Sequence, residues 1–163
     1  MKKSISLIGM AGAGKSCIGA KLAKYSNFNF VDSDKLIETI ENKTLQEILD
    51  EKGIEKFKKI EETILLSVKF NQTILATGGS VIFSKKAMNH IKSNSSVIYL
   101  EVSYEDIMYR ISDFSNRGFI KEADQTMKHA FNERESIYRG FADHIVRNNK
   151  DLESCFNKIL RVI

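Results

Sequence analysis

Apolar residues fall along this chain in two alternating rhythms. Short runs rich in aliphatic residues, at 4–8, 28–32, 73–77, 97–100 and 144–146, read as strands. Between them, apolar positions recur at helical spacing. Ile18, Leu22 and Tyr25 form one face of a predicted helix over 15–25. Thr44 and Glu47 make a capping box, and Leu45, Ile48 and Leu49 form an apolar stripe behind it. Gly53 punctuates that helix, and 55–70 predicts a longer one with Phe57, Ile60, Ile64 and Val68 near one side. Ser103 and Asp106 repeat the capping pattern at the head of a helix reaching about Ile111. Helices over 124–140 and 151–163 follow. Residues 113–123 are polar, contain glycine and lack an apolar period, which reads as a loop or mobile lid. Strands alternating with helices imply βαβ units. The expected fold is a three-layer α/β/α domain with a parallel sheet of about five strands.

Composition narrows the class. A chain of 163 residues suits one domain and buries about 70% of its unfolded surface, enough for a core without staples. Its 42% hydrophobic and 28% charged residues exclude a disordered or collagen-like chain. Two cysteines, Cys17 and Cys155, exclude a disulfide framework. The net charge of +4 arises from bases and acids mixed along the chain, with no basic run interleaved with aromatics, so no nucleic-acid partner is expected. The apolar run at 5–10 is broken by Ser6 and Gly9, and no stretch approaches the ~20 apolar residues of a membrane span. The expected setting is cytoplasmic, with no membrane partner.

The first predicted strand runs into Gly9-Met10-Ala11-Gly12-Ala13-Gly14-Lys15-Ser16, a G-x-x-x-x-G-K-[ST] loop. Glycines let backbone N–H groups turn inward around an anion, and the helix that follows adds its N-terminal partial charge. Lys15 supplies a point charge for the β- and γ-phosphates, and the Ser16 hydroxyl is placed for Mg²⁺. A chance match of the four fixed positions occurs in roughly 0.5% of chains of this length, and the strand and helix flanks lower that further. A dinucleotide fingerprint starting at Gly12 fails, because its third glycine position is Cys17.

The second predicted strand ends in Asp32-Ser33-Asp34, at the edge where parallel α/β sheets bind ligands. In an extended segment, residues two apart point the same way, so both carboxylates are expected to face one site. One would serve Mg²⁺ and the other accept the proton of an attacking alcohol. Helix capping is the competing role for these residue types.

With these pieces the chain resembles the shikimate kinase family of nucleoside-monophosphate-kinase-like P-loop proteins. The resemblance spans nearly the whole length. It rests on the loop at 9–16, on Asp32, Asp34 and Glu38, on 44–53, on Phe57 to Glu61, on Thr77-Gly78-Gly79, on an arginine-bearing lid at 110–117, and on 134–142. It implies a sheet of order 2-3-1-4-5, a helical substrate-binding subdomain at about 33–61 and a lid at about 113–123, all in one domain over 1–163. It implies transfer of the ATP γ-phosphoryl group to the 3-hydroxyl of shikimate, with Mg²⁺ as cofactor, ADP as product and a monomeric enzyme. Gly12, Ala13, Gly14, Lys15, Ser16 and Cys17 would hold the nucleotide, with Arg110 against adenine and Arg147 closing over it. Ser16 and Asp32 would serve the metal. Lys15, Asp34 and Arg117 would be catalytic, Arg117 acting as an arginine finger. Asp34, Lys58, Gly78, Gly79 and Arg134 would bind shikimate, Arg134 through its carboxylate.

Three positions depart from the family pattern. Lys58 stands where arginine is usual, keeping the charge and losing the bidentate fork. Ser80 replaces the third glycine of a G-G-G turn. Gly118 replaces a proline after the lid arginine, which predicts a more mobile lid. Glu61 is a candidate to orient Lys58 or Arg134. Cys17 is expected in packing, and Phe28, Phe30, Phe57 and Phe70 in the core, with Phe57 also near the substrate. His90, His129 and His144 lack ligand spacing, so no zinc site is expected. The alternative functions are a P-loop kinase for gluconate or a nucleoside monophosphate, and a nucleotide-binding ATPase or switch. The switch class wants a strand ending in aspartate, whereas the third strand here ends in Thr77-Gly78-Gly79.

Overall fold

The computed structural model describes residues 4–114, 119–149 and 151–163. Five parallel strands form one sheet of order β2-β3-β1-β4-β5, where β1 is Ile5–Ile8, β2 Asn29–Asp32, β3 Thr73–Ala76, β4 Ser96–Glu101 and β5 His144–Arg147. Every residue of β1 and β3 is buried, so helices cover both faces of the sheet centre. The register aligns the strand ends: Asp32 lies opposite Ala76, and Glu101 opposite Arg147. The loops that follow β1, β2, β3 and β5 therefore gather at one carboxyl edge.

The helices are α1 Lys15–Ser26, α2 Ser33–Glu41, α3 Leu45–Ser67, α4 Lys85–Asn94, α5 Tyr104–Arg110, α6 Met127–Phe141 and α7 Leu152–Leu160. A short 3₁₀ turn, Val81–Phe83, precedes α4. Sequence periodicity missed α4, whose buried side is only Ala87, Met88 and Ile91. The parallel pairing of β1 with both β3 and β4 requires such a crossover. An edge strand and a helix end correct two expectations, one for the core and one for an apolar face. Phe30 on β2 is 36% exposed, and Tyr25 at the end of α1 is 67% exposed, edge-on to Phe156. An edge strand is covered on fewer sides than a central one, so its aromatic packs partly and shows the rest to solvent.

The chain turns directly from β2 into α2. The Asp32 side chain accepts hydrogen bonds from the N–H groups of Asp34 and Lys35, at 3.1 and 3.3 Å, and caps the helix. Asp34 is therefore in the first helical turn, not two residues along an extended strand, and the shared-face argument for the two aspartates does not hold. A second apolar cluster forms beside the sheet from Ile37, Leu45, Ile48, Phe57, Ile64 and Ile120. Burial of side chains of this size is worth about 1.5–3 kcal/mol each, enough to join α2, α3 and the segment at 120 into one packed unit.

The Thr44–Glu47 capping box is formed in both directions. Gly53 bends α3 with φ 76° and ψ 170°. That conformation is open essentially to glycine alone. A Cβ added there would meet nothing within 4 Å. Gly53→Ala thus isolates the backbone term. In an ordinary helix interior the change stabilises by up to about 1 kcal/mol. Here it is expected to destabilise by about 1–3 kcal/mol, read as a lower urea midpoint at unchanged slope.

Candidate active site

The cleft at the carboxyl edge has a volume of about 800 Å³. Its floor is the loop after β1. Gly14, at φ 92°, ends the loop in a left-handed turn and delivers the chain into α1. Lys15 is buried, and its Nζ donates to the carbonyls of Gly9 and Met10 at 2.7 Å each. The ammonium is thereby held over the hollow of the loop. Ser16 follows, and its Oγ donates to Asp32 Oδ2 at 2.5 Å. Asp32 therefore has both of the competing roles. Oδ1 caps α2, and Oδ2 meets the Ser16 hydroxyl. Two hard oxygens side by side, next to a phosphate loop, suit a small divalent cation of the Mg²⁺ kind.

One wall carries two further carboxylates. Asp34 lines the cleft from α2, and Glu61 does so from α3. Gly78 lies between them: a Cβ there would come within 2.6 Å of both Asp34 Oδ1 and Glu61 Oε1. The Gly78 N–H is bound by Ser33 Oγ at 2.9 Å, which ties the turn after β3 to the head of α2. Burial in the cleft raises the Asp34 pKa to about 6, opposed by the Lys15 charge and reinforced by Asp32 and Glu38. Burial raises Glu61 to about 7, opposed first by the hydroxyl of Ser80, which donates to Oε2 at 2.6 Å.

Another part of the lining comes from α6. Arg134 is 2% exposed and donates to the Ile120 carbonyl. Its guanidinium lies 4.1 Å from the Phe119 ring centroid and 5.3 Å from that of Phe83. Tyr138, one turn on, donates to the Gly79 carbonyl at 2.5 Å and stacks on Tyr99. A buried cation thus shares the cleft with two acids and the phosphate loop.

The shikimate kinase family model matches residues 11–163 of this chain. The chain belongs to the shikimate kinase family. A family member from Clostridium beijerinckii is 32% identical over 164 residues, covering 100% of this chain and 96% of that protein. The structure of shikimate kinase from Acinetobacter baumannii in complex with shikimate superposes with a TM-score of 0.87 at 28% identity, covering 98% of this chain and 91% of that one. The Aquifex aeolicus shikimate kinase gives 0.84 at 31% identity, covering 97% and 94%.

Most residues expected from the shikimate kinase pattern meet at this cleft. Gly12, Gly14, Lys15, Ser16, Cys17, Asp32, Asp34, Gly78, Gly79, Arg110 and Arg134 all line it. Cys17 is exposed there, which corrects its expected role in packing. Ala13 turns its side chain into the core and offers its carbonyl instead. Lys58 stands outside the lining. Its Nζ is 3.5 Å from Glu55 and 5.5 Å from the Phe83 ring, so Phe83 lies against both Lys58 and Arg134. Arg147 also stands outside the lining. It donates to Glu101, its neighbour in the β4–β5 register, at 2.6 Å. Arg117 and Gly118 lie outside the described residues.

Sequence reasoning missed several supports of the shikimate kinase cleft. Asn148 is buried, donates to the Ala13 carbonyl at 2.8 Å and accepts from Arg110 at 2.6 Å, so it clamps the phosphate loop from behind. Its place after the end of β5 was the available signal. Phe83 and Phe119 had none, because their partner Arg134 is on another element, and Ser80 stood out only as a departure from the glycine turn, with nothing to announce Glu61 as its partner.

The raised Glu61 pKa has a consequence for stability. A carboxyl with a folded pKa above its unfolded value of 4.5 binds more protons in the native state. Its contribution is complete below pH 4.5 and is lost as pH rises through about 7. Glu61→Gln is therefore expected to flatten the fall of Tm across that window, measured by thermal melts from pH 4.5 to 8.

Proposed function

We propose that this chain transfers the γ-phosphoryl group of ATP to the 3-hydroxyl of shikimate, giving shikimate 3-phosphate and ADP. The observation that carries this reading is that one cleft holds both Asp34, a carboxyl of raised pKa, and Arg134, a buried arginine. Both stand beside a phosphate loop. An acceptor with a hydroxyl at one end and a carboxylate at the other fits that spacing of charge. Its carboxylate takes the Arg134 guanidinium, whose planar fork suits it. Its hydroxyl meets Asp34.

The phosphate loop and Lys15 hold the β- and γ-phosphates. Ser16 and Asp32 would hold Mg²⁺, which would supply charge neutralisation to the phosphates. The acceptor hydroxyl oxygen attacks the γ-phosphorus as the bond to the β-phosphate oxygen breaks, and the hydroxyl proton passes to Asp34. A pKa near 6 leaves this carboxyl mostly ionised at neutral pH while keeping it basic enough to take the proton. Arg117, outside the described residues, is the residue that the family pattern offers to stabilise charge on the moving phosphoryl group. The cluster of α2 and α3 acts as the acceptor-binding unit over 33–61. Ile120 fastens the lid's far end to it, and Phe119 covers Arg134. Arg110 flanks the adenine. Arg147, engaged with Glu101, has at most an outer part in nucleotide binding.

ADP release from Mg-ATP, measured with shikimate, gluconate, AMP and no acceptor, tests this reading. Release with shikimate alone is expected. Turnover with gluconate or AMP instead would keep the kinase and refute the acceptor, and release indifferent to acceptor would mark an ATPase. Asp34→Asn is expected to lower kcat by about 10²–10⁴. Arg134→Ala is expected to raise the shikimate KM well beyond the rise in Lys58→Ala, because Lys58 stands outside the cleft lining. Equal rises would return Lys58 to the carboxylate site.

A further inference from the structure

Ser80 precedes the 3₁₀ turn at Val81–Phe83 but does not cap it with its side chain. The hydroxyl reaches across to α3 and donates to Glu61 Oε2 at 2.6 Å. Both residues are buried, at 7% and 3% exposure. A buried carboxylate needs a donor or a counter-charge. Lys58, one helical turn before Glu61, would be the local counter-charge, but its Nζ pairs with Glu55. The other oxygen of Glu61, Oε1, faces the open side of Gly78, which Asp34 also faces.

Glu61 and Arg134 feel one another's charge but direct their hydrogen bonds elsewhere. Glu61 accepts from Ser80, while Arg134 donates to the Ile120 carbonyl. A flexible glutamate and an arginine buried in one cleft would gain by closing directly on each other. The hydroxyl of Ser80 gives the carboxylate another partner.

We propose that Ser80 is a positioning residue for the acceptor site: it holds Glu61 so that the carboxylate supports the Arg134 guanidinium without occupying it, and so keeps Arg134 available to the acceptor's carboxylate. A glycine at this position has no side chain with which to do so. Ser80 thereby sets acceptor affinity in this chain while touching neither the nucleotide nor the reacting atoms. The proposal rests on the acceptor reading above.

Steady-state kinetics and calorimetric shikimate binding on Ser80→Ala test it, with Glu61→Gln and the double variant alongside. Wild-type turnover of shikimate tests the acceptor reading first. If another acceptor carrying a carboxylate is turned over, its KM is read in the same comparison. Loss of a hydrogen bond to a charged group is expected to raise the acceptor KM and Kd roughly tenfold. The ATP KM is expected to stay within about twofold, the scale of a coupling too weak to resolve. In the Glu61→Gln background the same Ser80→Ala change is expected to add little, since the two residues act as one unit. An unchanged acceptor KM in folded Ser80→Ala overturns the proposal. So does a joint rise of both KM values with a lowered Tm, or full additivity with Glu61→Gln, since each marks a structural role only. An acceptor without a carboxylate also overturns it. Should Ser80→Ala fail to fold, Ser80→Cys, close in volume and a weak donor, supports the same comparison.

Discussion

The carboxylate of Asp32 joins the two halves of the active site. One oxygen caps α2 and so forces the chain to turn at Ser33. The other accepts from Ser16, the last residue of the phosphate loop. Asp34 reaches the cleft because that turn happens where it does. Ser33, at the first position of the helix, in turn binds the N–H of Gly78. Through a few hydrogen bonds the loop after β1, the helix after β2 and the turn after β3 become one rigid corner. Any change that frees Asp32 would move both the nucleotide side and the acceptor side.

Around this corner the protein gathers charges that would be costly one at a time. Lys15, Asp34, Glu61 and Arg134 lie within reach of each other's fields in a cleft that removes much of their water. Low local dielectric strengthens each attraction and makes every unpaired charge expensive. The arrangement answers this with local partners: backbone carbonyls that accept from Lys15 and Arg134, and a hydroxyl that donates to Glu61. Gly78 makes room for the two acids. Phosphoryl transfer asks for this kind of preset field more than for covalent chemistry, so the site's positioning of charge and the family's reaction are physically consistent. Ile120 packs into the cluster of α2 and α3, the unit that bears Asp34 and Glu61.

The phosphate loop was fully legible because its chemistry is local: spacing, strand and helix lie within twenty residues of one another. The capping box at Thr44, the interruption at Gly53 and the five strands were legible for the same reason. The acidic turn at Asp32 and Asp34 was legible as a feature, but Asp32 caps α2, so Asp34 lies on the helix and not two residues along an extended strand. Helix α4 escaped notice because a crossover helix with three buried residues carries little periodic signal.

By itself the sequence determined the fold class and the family, since each depends on the order and spacing of neighbours in the chain. Tertiary structure alone decided which of several charged residues face the cleft. Lys58 and Arg147 carry the expected charge, yet Glu55 and Glu101 engage them. Asn148 clamps a loop 135 residues away, and Ser80 answers a glutamate on another element. Such partnerships depend on where the sheet register and helix packing bring side chains together, and a buried polar group takes whichever partner that packing supplies.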